Sequence, residues 1–327
     1  MINKFLENQE KCDTVPYANS IFEQPWYLNI VAEGKWHVVY AKDKSGKIIA
    51  RLPYVEERKK ITNPRFTQTL GIWMDESIRE CQRGNSHLHK QKKVINELMS
   101  QLPTGKSVSI TLDNSVNYIL PFRWLGFSIT PTFSYRISGL QQIQNIDKLI
   151  GKKTLQRIVK ASEKVAVVVE NTDFGISEMV SLIDSSFVRQ GRKNPIPREL
   201  ARRMMAESIK RNHGTIMLAK DEEGVFHSGA FFLYEEGKTC YYIFGGQRPE
   251  YKADGSQDLV LWRGIEFAKT VSENFDFEGS MVEGIEHFFS QFGGGLVTNY
   301  HISKQSLLYG FIDLIKSRVK RALGYKI

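Results

Sequence analysis

The sequence predicts an α/β protein, with α+β character and mixed sheets, and three observations predict it. Residues 240–279 read as a strand, a glycine-bounded loop, a helix and a second strand. The first half of the chain reads as a hairpin, a strand, a helix and a strand. The second half follows a similar order at a larger scale, so two α/β units of related design are expected.

The stretch 240–279 is the centre of the prediction. Residues 240–244 are aromatic and β-branched, as in a buried strand. Glycines bound the loop 245–255, and Pro249 lies inside it. Residues 256–272 contain few helix breakers and place apolar side chains at steps of three: Leu259, Trp262, Ile265 and Ala268. A short strand at 275–277 follows. A strand, loop and helix in this order can present backbone N–H groups and the positive end of a helix to an anion.

The remaining elements follow from the same periodicities. In the first half we predict strands at 36–41, 48–55, 65–73 and 107–112 and a helix at 86–102. In the second half we predict helices at 145–164, 174–190 and 197–212 and strands at 165–170, 215–219 and 228–234.

Composition limits the class of protein. The chain has 327 residues, of which 41% are hydrophobic and 25% charged, as in a globular protein. No apolar run is long enough to span a bilayer, and an odd number of cysteines without metal-ligand spacing favours a reducing cytoplasm. The formal charge of +9 favours an anionic partner such as a nucleotide, tRNA or a membrane surface, although a generic basic surface explains it equally well.

Several spaced motifs resemble the FemABX-like branch of the GNAT acyltransferases. They are the run Tyr-Tyr-Ile-Phe-Gly-Gly at 241–246, a helix core of the form Leu-x-Leu-Trp-x-x-Ile-Glu-Phe-Ala at 259–268, Phe-Asp-Phe-Glu-Gly-Ser at 275–280 and Phe-Phe-Ser-Gln-Phe-Gly at 288–293. The resemblance is clearest over residues 145–300. It implies a tandem GNAT-like acyl-CoA N-acyltransferase fold, with a degenerate domain at 1–140, an acyltransferase domain at 141–303 and a basic amphipathic helix at 304–327.

The same resemblance implies acyl transfer from a thioester donor, acyl-CoA, to an amine, plausibly of a small-molecule or lipid-linked cell-envelope glycan or its precursor. An aminoacyl-tRNA donor and a non-catalytic binding module stay open as alternatives. No tightly bound cofactor, no metal and no DNA partner is expected. We expect a cytoplasmic protein, and peripheral association with the inner membrane face stays open.

The loop after residue 244 is the candidate donor site. It lacks the full glycine-rich pyrophosphate motif, but glycines allow close backbone approach and an arginine can add a charge-assisted contact to phosphate. An ordinary strand-to-helix turn is the alternative. The predicted donor-binding residues are Gly245, Gly246, Gln247, Arg248, Gly255, Ser256 and Gln257.

The candidate catalytic residues lie on the two strands beside that loop. Tyr241 and Tyr242 point to opposite faces, so one of them is expected to face the cleft and assist proton transfer while the other packs in the core. Asp276 and Glu278 are predicted to share a strand face, where either can accept a proton from an amine, with Glu278 favoured. Pairing with a nearby cation is the structural alternative.

Basic residues supply the remaining candidates. The region bordering the acceptor cleft in the family corresponds to Arg189, Arg192 and Lys193, which either hold an anionic acceptor or form a solvated helix end. The amphipathic C-terminal segment carries Lys316, Arg318, Lys320, Arg321 and Lys326. It is expected to dock on its own domain, with membrane or RNA contact as the alternatives.

Overall fold

A computed structural model describes residues 12–80, 85–189, 191, 193–279 and 281–306. The chain divides into two compact units: one holds the described residues up to Thr132 and those from Asn299 onward, and the other spans Phe133–Thr298. The domain limits at 140 and 303 remain predictions beside these bounds. The basic helix predicted at 304–327 lies outside the described residues from position 307 onward.

The first unit is built on an antiparallel hairpin extended by further strands. Its helices are α1 (Pro25–Val31), α2 (Glu76–Arg79), α3 (Ser86–Ser100) and α4 (Leu120–Trp124). Its strands are β1 (Trp36–Lys42), β2 (Ile48–Glu57), β3 (Lys60–Thr62), β4 (Trp73–Met74) and β5 (Ser107–Leu112), joined by the end of β12 (Gly295–Lys304). The strand order is β1-β2-β3-β5-β12, and β4 pairs with β2. The β3–β5 pair is parallel, whereas β1–β2, β2–β3 and β5–β12 are antiparallel.

Alternation along β5 places this unit's core. Val108, Ile110 and Leu112 are buried on one face, where Val94, Ile95 and Leu98 of α3 join the same cluster. The intervening side chains of β5 are polar and only half-buried. A strand with this pattern has one face on the core and one face open to solvent or to a ligand.

The second unit contains the stretch that centred the sequence prediction. Its helices are α5 (Lys152–Ser162), α6 (Asp173–Arg189), α7 (Arg198–Lys210), α8 (Ser256–Val271) and α9 (Glu283–Ser290). Its strands are β6 (Ser128–Ile137), β7 (Ala166–Val169), β8 (Gly214–Lys220), β9 (Phe226–Tyr234), β10 (Thr239–Gln247) and β11 (Asn274–Asp276). The strand order is β6-β11-β10-β9-β8-β7, with β10 and β11 parallel and the other pairs antiparallel.

The sequence prediction of neighbouring strands at 240–244 and 275–277 is confirmed. Cys240 lies opposite Phe275, and Tyr241 lies opposite Asp276, in one sheet. The helix predicted at 256–272 is α8, and its four periodic apolar residues are all buried in the core between the helix and the sheet. The predicted mixed α/β class is therefore correct.

The helix predicted at 145–164 begins only at Lys152, after a short 3₁₀ turn at Ile146–Leu149. Two further local predictions are wrong. Residues 65–73 do not form a strand, because Phe66 adopts a left-handed φ of 57° and only Trp73 enters the short β4. The loop predicted to begin at residue 245 begins after Gln247, because Gly245 and Gly246 continue the β10–β9 ladder opposite Ala230 and Gly229. No helix in the described part of the chain is long and apolar enough to cross a membrane.

Candidate active site

A cavity opens in the second unit where two parallel strands separate. The ladder between β10 and β11 covers Thr239–Tyr241 and then ends, while β10 continues to Gln247 beside β9. The cavity measures about 530 Å³ and is bounded by this outer half of β10, the first turn of α8, α9 and Ser186 of α6. Its size falls within the range typical of small-molecule sites.

Tyr242 contributes a phenol hydroxyl group to the cavity lining. Its ladder pairing with Phe232 is followed by a register shift between Tyr242 and Phe244. The side-chain amide of Gln257 donates to the Tyr242 hydroxyl oxygen at 3.1 Å, which leaves the phenol hydrogen available to donate. Burial raises the pKa of Tyr242 above its usual range, so the phenol stays protonated at neutral pH.

Two glycines of β10 are required by close packing on opposite sides of the strand. A Cβ on Gly245 would lie 1.6 Å from the Tyr242 hydroxyl, so only a glycine at this position leaves room for the phenol ring in its observed position. A Cβ on Gly246 would lie 2.4 Å from the carbonyl carbon of Leu182 in α6. The end of α6 is fixed to the same strand because the Gln247 N–H donates to the Ser186 hydroxyl at 3.0 Å.

The loop between β10 and α8 is held by a polar network. The side-chain amide of Gln247 donates to the Tyr251 carbonyl at 2.9 Å. Asp254 accepts from the Ser256 N–H at 2.8 Å, and its other oxygen lies 2.7 Å from His227 Nδ1. The His227 ring stacks on Tyr251 at 3.5 Å between ring centroids. These contacts fix where α8 begins and therefore where its first N–H groups lie.

The first turn of α8 gives the cavity a positive character. The initial N–H groups of a helix have no carbonyl partner within it, and Gln257 and Asp258 both line the cavity. Arg157 of α5 lies 2.6 Å from the Asp258 carboxylate and offsets its charge. Lys252 adds an exposed cation to the lining. An anionic group can therefore bind beside Lys252 and the first turn of α8, and an uncharged group can bind against Phe288 and Phe289.

A second polar cluster follows β11. The Arg136 guanidinium donates to one oxygen of Asp276 at 2.8 and 3.0 Å. The other Asp276 oxygen accepts from the Ser134 hydroxyl and, at 2.8 Å, from the backbone N–H of Glu278. Asp276 is thus buried and fully engaged, which matches the structural alternative considered for it.

Glu278 lies at the end of this cluster in an unusual conformation. Its φ is 64°, in the left-handed region that costs a non-glycine residue free energy. The residue is half-buried, and its Oε1 atom is shielded from solvent. Burial, reinforced by the Asp276 charge and opposed by Arg136, raises the pKa of Glu278 well above its usual range. Strain and a raised pKa at one carboxyl group are features that functional residues often combine.

The structure divides the predicted donor-binding residues into two groups. Gly245, Gly246, Gln247 and Gln257 line the cavity. The other three are engaged elsewhere. Arg248 pairs with Glu178 at 3.0 Å and donates to the Phe226 carbonyl, Gly255 packs against the Arg157 carbonyl, and Ser256 is buried beneath the loop.

The predicted catalytic residues also differ in whether they line the cavity. Tyr242 faces the cavity, whereas Tyr241 is buried in register with Asp276. Among the described residues, the cavity lining includes neither Asp276 nor Glu278. The shared strand face predicted for these two carboxylates does not extend to Glu278, because β11 ends at Asp276 and the chain then turns left-handed.

The predicted acceptor residues contribute little to this geometry. Lys193 is exposed and is not among the described residues that line the cavity. Arg189 ends α6, but its side chain lies outside the described part, as does all of Arg192.

Sequence reasoning named Lys252 beside the loop but missed the cavity residues on α6, α8 and α9: Ser186, Asp258, Gly284, Ile285, Phe288 and Phe289. Phe288 and Phe289 belong to a segment already quoted for the family resemblance, and their spacing from Ile285 is that of one helical face. That apolar helical face is the feature of the sequence that could have predicted these residues. No local pattern predicts Ser186, because its contact with Gln247 joins residues 61 positions apart.

Comparisons with known proteins agree with this geometry. Residues 152–288 match the family described as acetyltransferase (GNAT) domain, a range that includes all of the cavity lining except Phe289. A comparison with curated protein sequences returned no match.

Solved structures resemble the chain over nearly its whole length. The structure of FemX is 13% identical, with a TM-score of 0.64, and the match covers 91% of this chain and 95% of FemX. The C-terminal domain of a putative lysylphosphatidylglycerol synthetase from Agrobacterium fabrum is 11% identical, with a TM-score of 0.54 and 90% and 92% coverage. L-PGS from Bacillus licheniformis is 13% identical, with a TM-score of 0.54 and 92% coverage of each chain.

The fold and the family model together define the class of protein as one with a GNAT acyltransferase fold. Residues 152–288 match a GNAT domain and the fold is similar to that of FemX, in agreement with the resemblance seen in the sequence. Because the identities are low, the solved structures establish the fold alone.

Proposed function

We propose that the protein is an N-acyltransferase that moves an acyl group from acyl-CoA to an amine. One observation carries the proposal: the lining of the cavity beside β10 combines a helix N-terminus and Lys252 with the apolar side chains of Ile285, Phe288 and Phe289. A CoA thioester has the matching polarity, with a pyrophosphate at one end and an uncharged arm at the other. GNAT domains typically use acyl-CoA as a substrate, which supports this donor.

In this proposal, the backbone of α8's first turn and Lys252 bind the donor's phosphates. The outer half of β10, which no longer pairs with β11, offers its free edge to the amide groups of the donor's arm. The Tyr242 hydroxyl donates a hydrogen bond either to the thioester carbonyl or to the departing sulfur, so that negative charge developing there is stabilised.

The amine must lose a proton when it attacks the thioester carbon, and we assign that proton to Glu278, which lies outside the cavity lining and receives it through a bridging water. Its raised pKa brings its basicity closer to neutral pH than that of an ordinary carboxylate. Asp276 and Arg136 act as positioning residues because they hold the Glu278 backbone and set the charge around its carboxyl group.

The acceptor that we propose is an amine of a cell-envelope glycan or its precursor, small or lipid-linked. The FemX-like fold and the lysylphosphatidylglycerol synthetase folds support an envelope-related acceptor by analogy. Transfer from aminoacyl-tRNA is the second candidate. The fold shared with FemX and the formal charge of +9 favour it.

Calorimetric titration of CoA, acetyl-CoA and deacylated tRNA into the purified chain tests the donor. We expect CoA and acetyl-CoA to bind, and Gly245→Ala to weaken that binding by about tenfold or more, because the new methyl group displaces Tyr242. Gly151→Ala is the matched control, since a Cβ there meets nothing within 4 Å.

Tyr242→Phe keeps the ring and removes only the hydroxyl, so it tests the site even if Gly245→Ala folds poorly. We expect donor binding to be retained and turnover to fall by about 10²-fold. Binding of tRNA without CoA, or equal effects of Gly245→Ala and Gly151→Ala, would overturn the acyl-CoA proposal.

A further inference from the structure

The first unit carries a polar sheet face that the proposed transfer reaction does not use. Opposite the buried Val108 and Ile110, β5 presents Ser107, Ser109 and Thr111 on its other face. Residues paired across a sheet point to the same side, so the partners on β3 and β12 extend this face. They are Lys60 and Thr62 on β3 and His301 and Ser303 on β12.

The chemistry of this face is dominated by hydrogen-bond donors. Its seven side chains on β3, β5 and β12 comprise five hydroxyl groups, one ammonium group and one imidazole, and the Glu57 carboxylate of β2 is paired opposite Lys60 at the edge of the face. Ser109 of β5 lies directly between Thr62 and Ser303 in the ladder, so three hydroxyl groups form one row across the sheet. Hydroxyl and ammonium groups all donate hydrogen bonds, and a cluster of donors is suited to the oxygens of an anion.

A cavity of about 610 Å³ lies at the end of this face. Its walls include Ser107, Ser109 and Ser303, and its rim is formed by the turn between β2 and β3. The cations of the lining are Arg58, Lys59 and Lys60, with Lys304 on the opposite sheet face beside Val108, and its carboxylate is that of Glu57. The neighbouring Glu56 is already paired with Lys106, so it does not offset these charges.

His301 lies on this face, and its pKa is affected by the nearby positive charge. The His301 ring lies 3.2 Å from the Ser109 hydroxyl and 3.0 Å from that of Thr111. Burial, together with the charge of Lys60, lowers the pKa of His301. Of the four cations, Lys304 is committed in part, because its ammonium donates to the Leu125 carbonyl at 2.7 Å.

From this arrangement we propose that the cavity at the β3–β5–β12 face binds a compact phosphate-type anion of a small molecule. Lys60 supplies the charge, and the hydroxyl groups of Ser109 and Ser303 bind the anion's oxygens. A small molecule fits better than a polyanion. The donors converge on one concave site of small-molecule size rather than spreading along a surface, as contacts to a nucleic acid backbone do.

Calorimetric titration of inorganic pyrophosphate into the full chain tests the site. We expect saturable binding that Lys60→Ala weakens by about tenfold or more, because it removes a charge-assisted contact. Lys44→Ala is the matched control: it removes the same charge from an exposed turn of the same unit, and we expect less than a twofold change.

Ser303→Ala separates a built site from a merely basic surface. It leaves the net charge unchanged, and we expect it to weaken pyrophosphate binding by about threefold to tenfold. Circular dichroism of each variant confirms that it remains folded. A second titration uses single-stranded RNA oligonucleotides of increasing length.

Three results would overturn the proposal: no saturable binding of pyrophosphate, equal losses in Lys60→Ala and Lys44→Ala, or no effect of Ser303→Ala. RNA binding that tightens steadily with oligonucleotide length would also overturn it, in favour of a polyanion surface. None of these results bears on CoA binding in the second unit.

Discussion

Each unit places a glutamate beside an aspartate and an arginine, and the two clusters differ in burial, backbone conformation and hydrogen bonding. In the first unit, burial and Asp113 raise the pKa of Glu23, while Arg51 opposes them. In the second unit, burial and Asp276 raise the pKa of Glu278, while Arg136 opposes them. Each of the two carboxyl groups therefore has one aspartate and one arginine as its charged neighbours.

The difference lies in the backbone and in the hydrogen bonds. Glu23 belongs to a short 3₁₀ helix and is fully buried, and its oxygens accept from the Gly71 N–H at 2.9 Å and from Asn19. Glu278 is half-buried, follows a strand end and adopts a left-handed φ. A raised pKa alone does not mark a functional carboxyl group, because Glu23 has one while joining chain segments 48 residues apart. Strain and partial exposure distinguish Glu278.

The largest effect that we expect is on turnover in Glu278→Gln. If Glu278 accepts the amine's proton, removing its basicity lowers kcat by about 10²–10⁴-fold with little loss of folding. Glu23→Gln, measured in the same acyl-transfer assay, should leave kcat within about twofold. A Glu278→Gln enzyme with normal kcat would assign the proton to another group or to water.

Glu278→Gly provides the matched backbone control. Glycine adopts a left-handed φ without the steric cost of a Cβ, so we expect the free energy of unfolding to rise by about 1 kcal/mol while activity is lost. A rise in stability with full activity would show that the strain at this position serves no function.

The next largest effect concerns stability in the first unit. The pKa of Glu23 is raised from 4.5 to about 7, so the folded state holds a proton that the unfolded chain has released between those pH values. Stability therefore falls as pH rises through this window, by up to about 3 kcal/mol in all. Urea unfolding of Glu23→Gln at pH 5 and pH 8 should show a smaller pH dependence than the parent chain. An unchanged dependence would mean that Glu23 ionises normally.

A smaller effect is expected on the pH profile of Asp276→Asn. The Asp276 charge helps raise the pKa of Glu278, so removing it lowers that pKa. A general base works when deprotonated, and activity falls as pH drops through its pKa. The acidic limb of kcat/KM should therefore move to lower pH in Asp276→Asn, whereas Asp113→Asn should leave it in place. If the acidic limb of kcat/KM stays at the same pH, the Asp276 charge does not influence the group that titrates.

The comparison also shows which features can be predicted from a sequence. Helix α8 and strands β8 to β11 follow from local periodicity, since Leu259, Trp262, Ile265 and Ala268 must share one face. The conformation of Glu278 could not be predicted, because it depends on the contact of its N–H with Asp276 and on Gly279 packing against Phe133. Arg248 was expected near phosphate, yet its partner Glu178 lies 70 positions away in the chain. Periodicity predicts elements well, whereas long-range polar pairing decides which candidate side chains reach the cavity.

The smallest effect is expected at the C-terminal basic residues, which lie outside the described part of the chain. A CoA donor needs one compact anion site, and the cavity beside β10 provides it through α8's first turn and Lys252. A tRNA donor needs many spread contacts, and its affinity falls steeply with salt. Neutralising Lys316, Arg318, Lys320 and Arg321 together should leave the donor KM nearly unchanged if the donor is acyl-CoA. A large rise in donor KM that shrinks as salt is added would instead indicate tRNA. The same variant leaves Glu278 and Tyr242 intact. An altered donor KM with a normal kcat would therefore overturn the proposed donor, while the roles proposed for those two residues would stand.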